Sequence, residues 1–465
     1  MKRLVCVALC LAFGTAWSQD ITLPEFERVA LDNGTVLLLA EKRDIPLIGL
    51  RAVVRGGTAI DPPQRAGMAS LLSSLLQKGA GDRDAAAFAT AAANVGGRIS
   101  ASASAEAVSV SADFLSRDAA LMIDLVADML LRPTLAEEEF VKERERAIAM
   151  IRAARGSNPS TLMPAYTRGF LFGDHPYGNP VLGSEASLGE IGHDELRQFY
   201  SDNFGGDRLV IAVAGDFDIE PMKERLTAAF GAWAPAAGAL AEVPAAAHTP
   251  GRQVLLVDKP GAAQTYFWIG NVGVALDYPR RAELRIANTL FGGRFTSMLM
   301  TALRVERGLT YSAYSVVEQL SAPGAVTIRS YTETSRTAEA IDLAIDKLGE
   351  LHRRGVNDVM IASERYYIMG QFPPTLVTAS ALAAMLAFLE QHGLDRSYID
   401  AYGEALEAAT PVSVHNTISD VFPLTENLVL VLIGDAAAIR DAVAKYGPVT
   451  EISITEPHFR VPVSP

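Results

Sequence analysis

Beyond residue 10 the 465-residue sequence contains no cysteine, its two being Cys6 and Cys10. A chain that loses this stretch has no disulfide, no thiolate ligand for zinc and no thiol nucleophile. Histidine is scarce as well. His175, His193, His248, His352, His392, His415 and His458 include no pair three or four apart, so no two-histidine metal site is spelled out on a helix. Runs of basic residues are missing, and acidic residues outnumber basic ones 54 to 41, for a net charge of −13. That balance excludes nucleic acid and anionic lipid as partners, since both need clustered cations. Long hydrophobic runs are missing too: the stretch from Leu4 to Phe13 holds ten residues, and a helix needs roughly 20 to span a bilayer. There is no Gly-x-Ser-x-Gly nucleophile elbow.

What is present begins with Lys2 and Arg3, the short apolar run, and the small-residue ending Ala16-Trp17-Ser18. This is the pattern of a secretory signal over residues 1–18, and it predicts a periplasmic or secreted protein with no membrane anchor after cleavage. Lipidation at Cys10 is disfavoured, because Val7-Ala8-Leu9 lacks the small residue expected before a lipidated cysteine. Both cysteines leave with the signal, so the mature chain relies on its core, for which 49% hydrophobic content is ample.

Periodicity then sets out strands over 35–40 and 47–54, an alternating hairpin over 98–114, and helices over 84–95, 116–131, 135–154, 193–204 and 219–230. From Ala234 to Gly251 the composition turns to alanine, glycine and proline, with Pro235, Pro244 and Pro250 blocking both helix and strand; 234–251 is read as a linker. The sides it joins repeat each other. Leu209-Val-Ile-Ala-Val-Ala-Gly215 returns as Leu428-Val-Leu-Val-Leu-Ile-Gly434, each followed by Asp and a helix. Paired strands over 254–258 and 265–272 come before a helix over 280–290. The expected fold is α+β: two homologous domains, 19–233 and 252–465, each with a mainly antiparallel sheet packed against helices.

The segment from Ala66 to Gln77 has two helical faces. Met68, Leu71, Leu72, Leu75 and Leu76 form an inward stripe, whereas Ser70, Ser73, Ser74 and Gln77 form a second one at i, i+3, i+4, i+7. Two metal-binding histidines with a glutamate beside them would sit at 70, 73 and 74, and the chain offers three hydroxyls. A neutral hydroxyl is a poor zinc ligand. The only base nearby is Lys78, four residues after Ser74, so serines filling space are favoured over serine nucleophiles.

Leu31-Asp-Asn-Gly34, Arg55-Gly-Gly57 before a helix, Phe172-Gly-Asp-His-Pro-Tyr-Gly178, and Leu303-Arg304 through Arg307-Gly-Leu-Thr-Tyr311-Ser together resemble the pitrilysin or insulinase family of inverzincin metallopeptidases. The resemblance is greatest to two-domain members of the mitochondrial processing peptidase type and their bacterial relatives, and runs from about Glu25 to about Tyr446. In active members this helix carries His-x-x-Glu-His, with a third ligand on a later helix. The matching positions here are Ser70, Ser73, Ser74 and Met150, so the resemblance implies no metal in this chain and zinc in a partner. It also implies that Arg304 and Tyr311 reach the peptide near the bond being cut, as the corresponding pair does in the zinc-free subunit of bacterial heterodimers.

The edge strand Arg98, Ile99, Ser100 and Ala101 is a candidate for pairing with an extended peptide. Gly292 and Gly293 are candidates for a flexible substrate-facing loop, though two glycines before a helix also make a simple turn. The expected function is the zinc-free subunit of a periplasmic heterodimeric metalloendopeptidase. Its partner would be a homologous His-x-x-Glu-His chain, and its substrates peptides or unfolded polypeptides. The alternative is a stand-alone homodimer that binds or holds peptides without proteolysis.

Overall fold

In the computed structural model residues 22–372 and 374–461 are described; the expected signal, residues 1–18, lies outside them. The first half opens with β1 Glu27–Ala30, β2 Val36–Glu41 and β3 Leu47–Arg55, followed by α1 Met68–Leu75. A small hairpin of β4 Gly79–Ala80 and β5 Arg83–Asp84 leads into α2 Ala85–Ala93, then the hairpin β6 Arg98–Ala103 and β7 Ala107–Leu115. Helices α3 Ala119–Leu131, α4 Glu137–Ser157, α5 Met163–Phe172, α6 Glu185–Glu190 and α7 His193–Asn203 precede β8 Leu209–Gly215 and α8 Ile219–Phe230.

The second half repeats this plan after a stretch, 231–252, that carries no helix or strand. Its elements are β9 Gln253–Asp258, β10 Gln264–Val272, α9 Arg281–Asn288, β11 Ala313–Gln319, β12 Pro323–Glu333, α10 Thr337–Arg354, α11 Asp358–Gln371, α12 Pro374–Val377 and α13 Ala379–Gln391. Further on come β13 Val429–Gly434 and β14 Val449–Ser453.

Each half builds a six-stranded sheet, in the orders β1-β2-β8-β3-β7-β6 and β11-β12-β10-β13-β9-β14. Four of the five pairings in the first sheet are antiparallel, β2 with β8 being parallel. The second has two parallel pairings, both made by β9. The architecture is α+β, with mixed sheets packed against helices.

Strands β8 and β13 are buried at every residue, which a continuous apolar run permits only if both faces of the sheet are covered. The cover comes from both halves. Leu209, Ile211 and Val213 share a core with their own half's Met122, Val126 and Met129, whereas Val210, Ala212 and Ala214 point into a core with Leu382, Leu386 and Ala387 of α13. Helix α13 of the second half packs on β3 and β8, and α5 of the first packs on β10 and β13.

The helix expected over 280–290 differs in detail, α9 ending at Asn288. After α9 the chain continues in wide helical turns over Thr289–Gly293 and Met300–Glu306. Gly292 is buried in the first of these, where a Cβ would lie 2.3 Å from the Ser315 amide of β11. Gly292 is therefore a packing contact rather than part of a flexible loop, and only Gly293 is exposed.

Candidate functional site

Helix α1 starts at Gly67, whose backbone is left-handed, φ 97°. Its first amides are taken by Asp61, which accepts from Gly67 N–H at 2.8 Å and Ala69 N–H at 3.0 Å. Burial pushes the Asp61 carboxyl up to about 8 although those donors pull it down. Met68, Leu71, Leu72 and Leu75 are buried as the periodicity requires.

On the opposite stripe every hydroxyl is spent on backbone. Ser70 Oγ donates to the Val181 carbonyl, and Ser73 and Ser74 Oγ both donate to the Ser70 carbonyl, at 2.8 and 3.2 Å. Gln77 Nε2 donates to the Ser73 carbonyl and, at 3.2 Å, to the Ala101 carbonyl of β6, so the serine face abuts a sheet edge. Strand β6 is outermost in its sheet, and Arg98, Ser100 and Ser102 are exposed along it while Ile99 and Ala101 are half-buried.

Between α1 and α4 lies a cavity of about 800 Å³ lined by Ser70, Ser74, Gln77, Lys78, Glu143 and Met150 among others. All three positions matching metal ligands, Ser70, Ser74 and Met150, thus converge on one space. Ser73 does not line it and is buried. Lys78, the one base near the serines, pairs with Glu143 at 2.9 Å, and Arg146 approaches the same carboxylate at 3.6 Å.

Zinc does not fit this donor set. The hydroxyls are neutral and already donating, Met150 offers a soft thioether, and Lys78 and Arg146 bring positive charge where a dication would sit. Among the described residues no three His, Cys, Asp or Glu side chains group to hold a metal ion.

In the second half Arg304, on the wide helical turn, and Tyr311, after the left-handed Gly308, come together. The guanidinium lies 4.1 Å from the Tyr311 ring centroid and 4.9 Å from that of Phe295. Tyr311 is 69% exposed. Stacking between two aromatic faces fixes the guanidinium without using its N–H groups. The pair is not part of the α1–α4 cavity, so within one chain the two features do not share a site.

Other polar contacts had no signal in the sequence. Tyr177 Oη donates to Glu106 at 2.6 Å and accepts from Ala322 N–H at 3.1 Å, joining the β6–β7 turn to the β11–β12 turn of the other half. Glu106 also takes the Ser321 amide at 3.0 Å, and Arg168 pairs with Glu318. The His175 string forms a turn, in which His175 Nδ1 accepts from the Tyr177 amide.

Residues 37–185 match the family described as insulinase (peptidase family M16), and residues 190–364 match the peptidase M16 inactive domain. The chain is 24% identical over 355 residues to the uncharacterized zinc protease YmxG of Bacillus subtilis, covering 76% of this chain and 85% of that one. It is 22% identical over 377 residues to the non-peptidase homolog YmxG of Helicobacter pylori, covering 80% and 85%. A crystal structure of a peptidase M16 inactive domain from Pseudomonas fluorescens superimposes with a TM-score of 0.82 at 22% identity, over 88% of this chain and 98% of that one.

Proposed function

The chain belongs to the insulinase peptidases, peptidase family M16, and from that premise we propose that it is the zinc-free subunit of a two-chain periplasmic metalloendopeptidase. Within the family it is a non-catalytic member, with Ser70, Ser74 and Met150 at its three ligand positions and Ser73 at that of the general base. The observation that carries the finer reading is the contrast between halves. The ligand positions are all replaced, whereas Arg304 and Tyr311 are stacked at the surface, with neither side chain hydrogen-bonded among the described residues.

A guanidinium and a phenol held this way suit a scissile carbonyl that is becoming an oxyanion. The metal and the general base would come from a homologous His-x-x-Glu-His chain. This chain would contribute the donor pair and half of the chamber wall, with the free edge of β6 available to an extended peptide. The 1–18 segment supports a periplasmic or secreted location.

The test is reconstitution with a zinc-bearing homologous chain and unfolded peptide substrates. Activity is expected to require both chains, and Arg304→Ala or Tyr311→Phe should lower kcat/KM by about 10²- to 10³-fold, the cost of one oxyanion donor. Activity unchanged by omitting this chain, or by both substitutions, overturns the shared site.

A second reading, a peptide-holding homodimer, draws on the edge strand and cavity lying side by side in one chain. It requires the isolated protein to bind extended peptides with no partner present.

A further inference from the structure

The second half has a cavity of its own, about 320 Å³, bounded by α9, α11 and α13. The internal repeat places α9 and α11 where the first half has α1 and α4, so the two cavities open between corresponding helices. Their chemistry differs. The second cavity is lined by Arg281 and Arg285, one turn apart on α9, with Phe388, Tyr398, Tyr402 and Gln371 around them. Among the described residues none that lines it is acidic, in a chain of net charge −13.

The arginines are held but not neutralised. The Arg281 guanidinium stacks 3.6 Å from the Tyr398 ring centroid and 4.8 Å from that of Tyr402, and donates to the Tyr398 carbonyl. Among the described residues neither Arg281 nor Arg285 has a carboxylate within 4.0 Å, whereas the neighbouring Arg280 is paired with Asp420. Both cations act on Tyr402: burial raises its phenol, and Arg285 and then Arg281 oppose the rise. Two guanidiniums with unused N–H groups therefore meet at the mouth of an aromatic pocket. Such forks match a carboxylate, and the rings match an apolar side chain attached to it. The volume lies at the small end of ligand sites, near the size of one residue.

We propose that the cavity between α9, α11 and α13 is a binding site for an apolar or aromatic residue bearing a free carboxylate, held by Arg281 and Arg285. The carrier is either the C-terminus of a peptide or a free amino acid. The site goes beyond the shared-chamber reading and is measured on the isolated chain, so failure of either leaves the other standing.

Calorimetric titration of the full chain with N-acetyl-phenylalanine and with its amide tests the proposal. The acid is expected to bind at least about tenfold more tightly than the amide, the loss of a charge-assisted hydrogen bond. Arg285→Gln should weaken the acid about tenfold and leave the amide unchanged. Arg285 is exposed, so an unaltered melting curve confirms that this variant folds. Arg281→Gln is expected to act likewise. A short peptide ending in free phenylalanine, compared with zwitterionic phenylalanine, identifies the carrier by whichever binds more tightly. Equal binding of acid and amide, no saturable binding of either, or an unaffected Arg285→Gln overturns the site.

Discussion

Asp61 lies beneath the first turn of α1 with an oxygen on each of two backbone amides, and burial holds its carboxyl near 8 against an ordinary 3.8. A folded-state value above the unfolded one means that the native chain keeps a proton the unfolded chain has lost. The stability this contributes is fully present below 3.8 and is lost as pH rises through about 8. Urea midpoints are therefore expected to fall with rising pH across that window, and Asp61→Asn, which cannot ionise, should flatten the decline. A decline of equal slope in the variant would remove Asp61 as its cause. At the same scale the serine hydroxyls are already engaged. Ser73 and Ser74 donate hydrogen bonds to the Ser70 carbonyl and Lys78 is paired with Glu143, so neither nucleophile nor base is free.

At the scale of elements, the approach of α13 to the first sheet turns on Gly49. A Cβ there would lie 2.6 Å from the Cα and N of Ser380, and backbone cannot yield as a side-chain tip does. Gly49→Ala is expected to destabilise the protein by roughly 1–3 kcal/mol through overpacking, read as a lowered denaturant midpoint. An unchanged midpoint would show that α13 can shift outward freely. The alternating hairpin 98–114 and the long helices were legible because one face of each is more exposed than the other. The wide turn over Thr289–Gly293 was not, since its Gly292 packs against β11, a strand more than 20 residues later. The serine stripe was legible as a pattern, but its cavity needed α4 to supply Glu143 and Met150.

In the whole molecule the halves exchange helices, α5 covering the second sheet and α13 the first. The exchange is reinforced by Tyr177 between the hairpin turns, by Arg28 on Glu390 at 2.8 Å, and by Leu23 N–H on Asp400 at 2.7 Å. Each sheet therefore has one apolar face that only the other half covers. A protease site inserted within 237–248 is expected, after cleavage, to leave the halves together on gel filtration. Either half expressed alone should aggregate, because its uncovered sheet face exposes Val210, Ala212 and Ala214 or their counterparts in the second half. Separation of folded halves would show that the exchange contributes little.

The sequence by itself determined the strands and helices, the internal repeat and the replacement of every ligand position, because these are set by residue type and by periods of two and 3.6. It also placed Arg304 and Tyr311 close enough along the chain to meet. Tertiary structure alone decided that those two stack, that Lys78 pairs with Glu143, and that Arg281 and Arg285 share a pocket with Tyr402. Such contacts join residues far apart in sequence or fix side-chain direction, and no local period encodes either. Only the packing of elements within each half brings them into being.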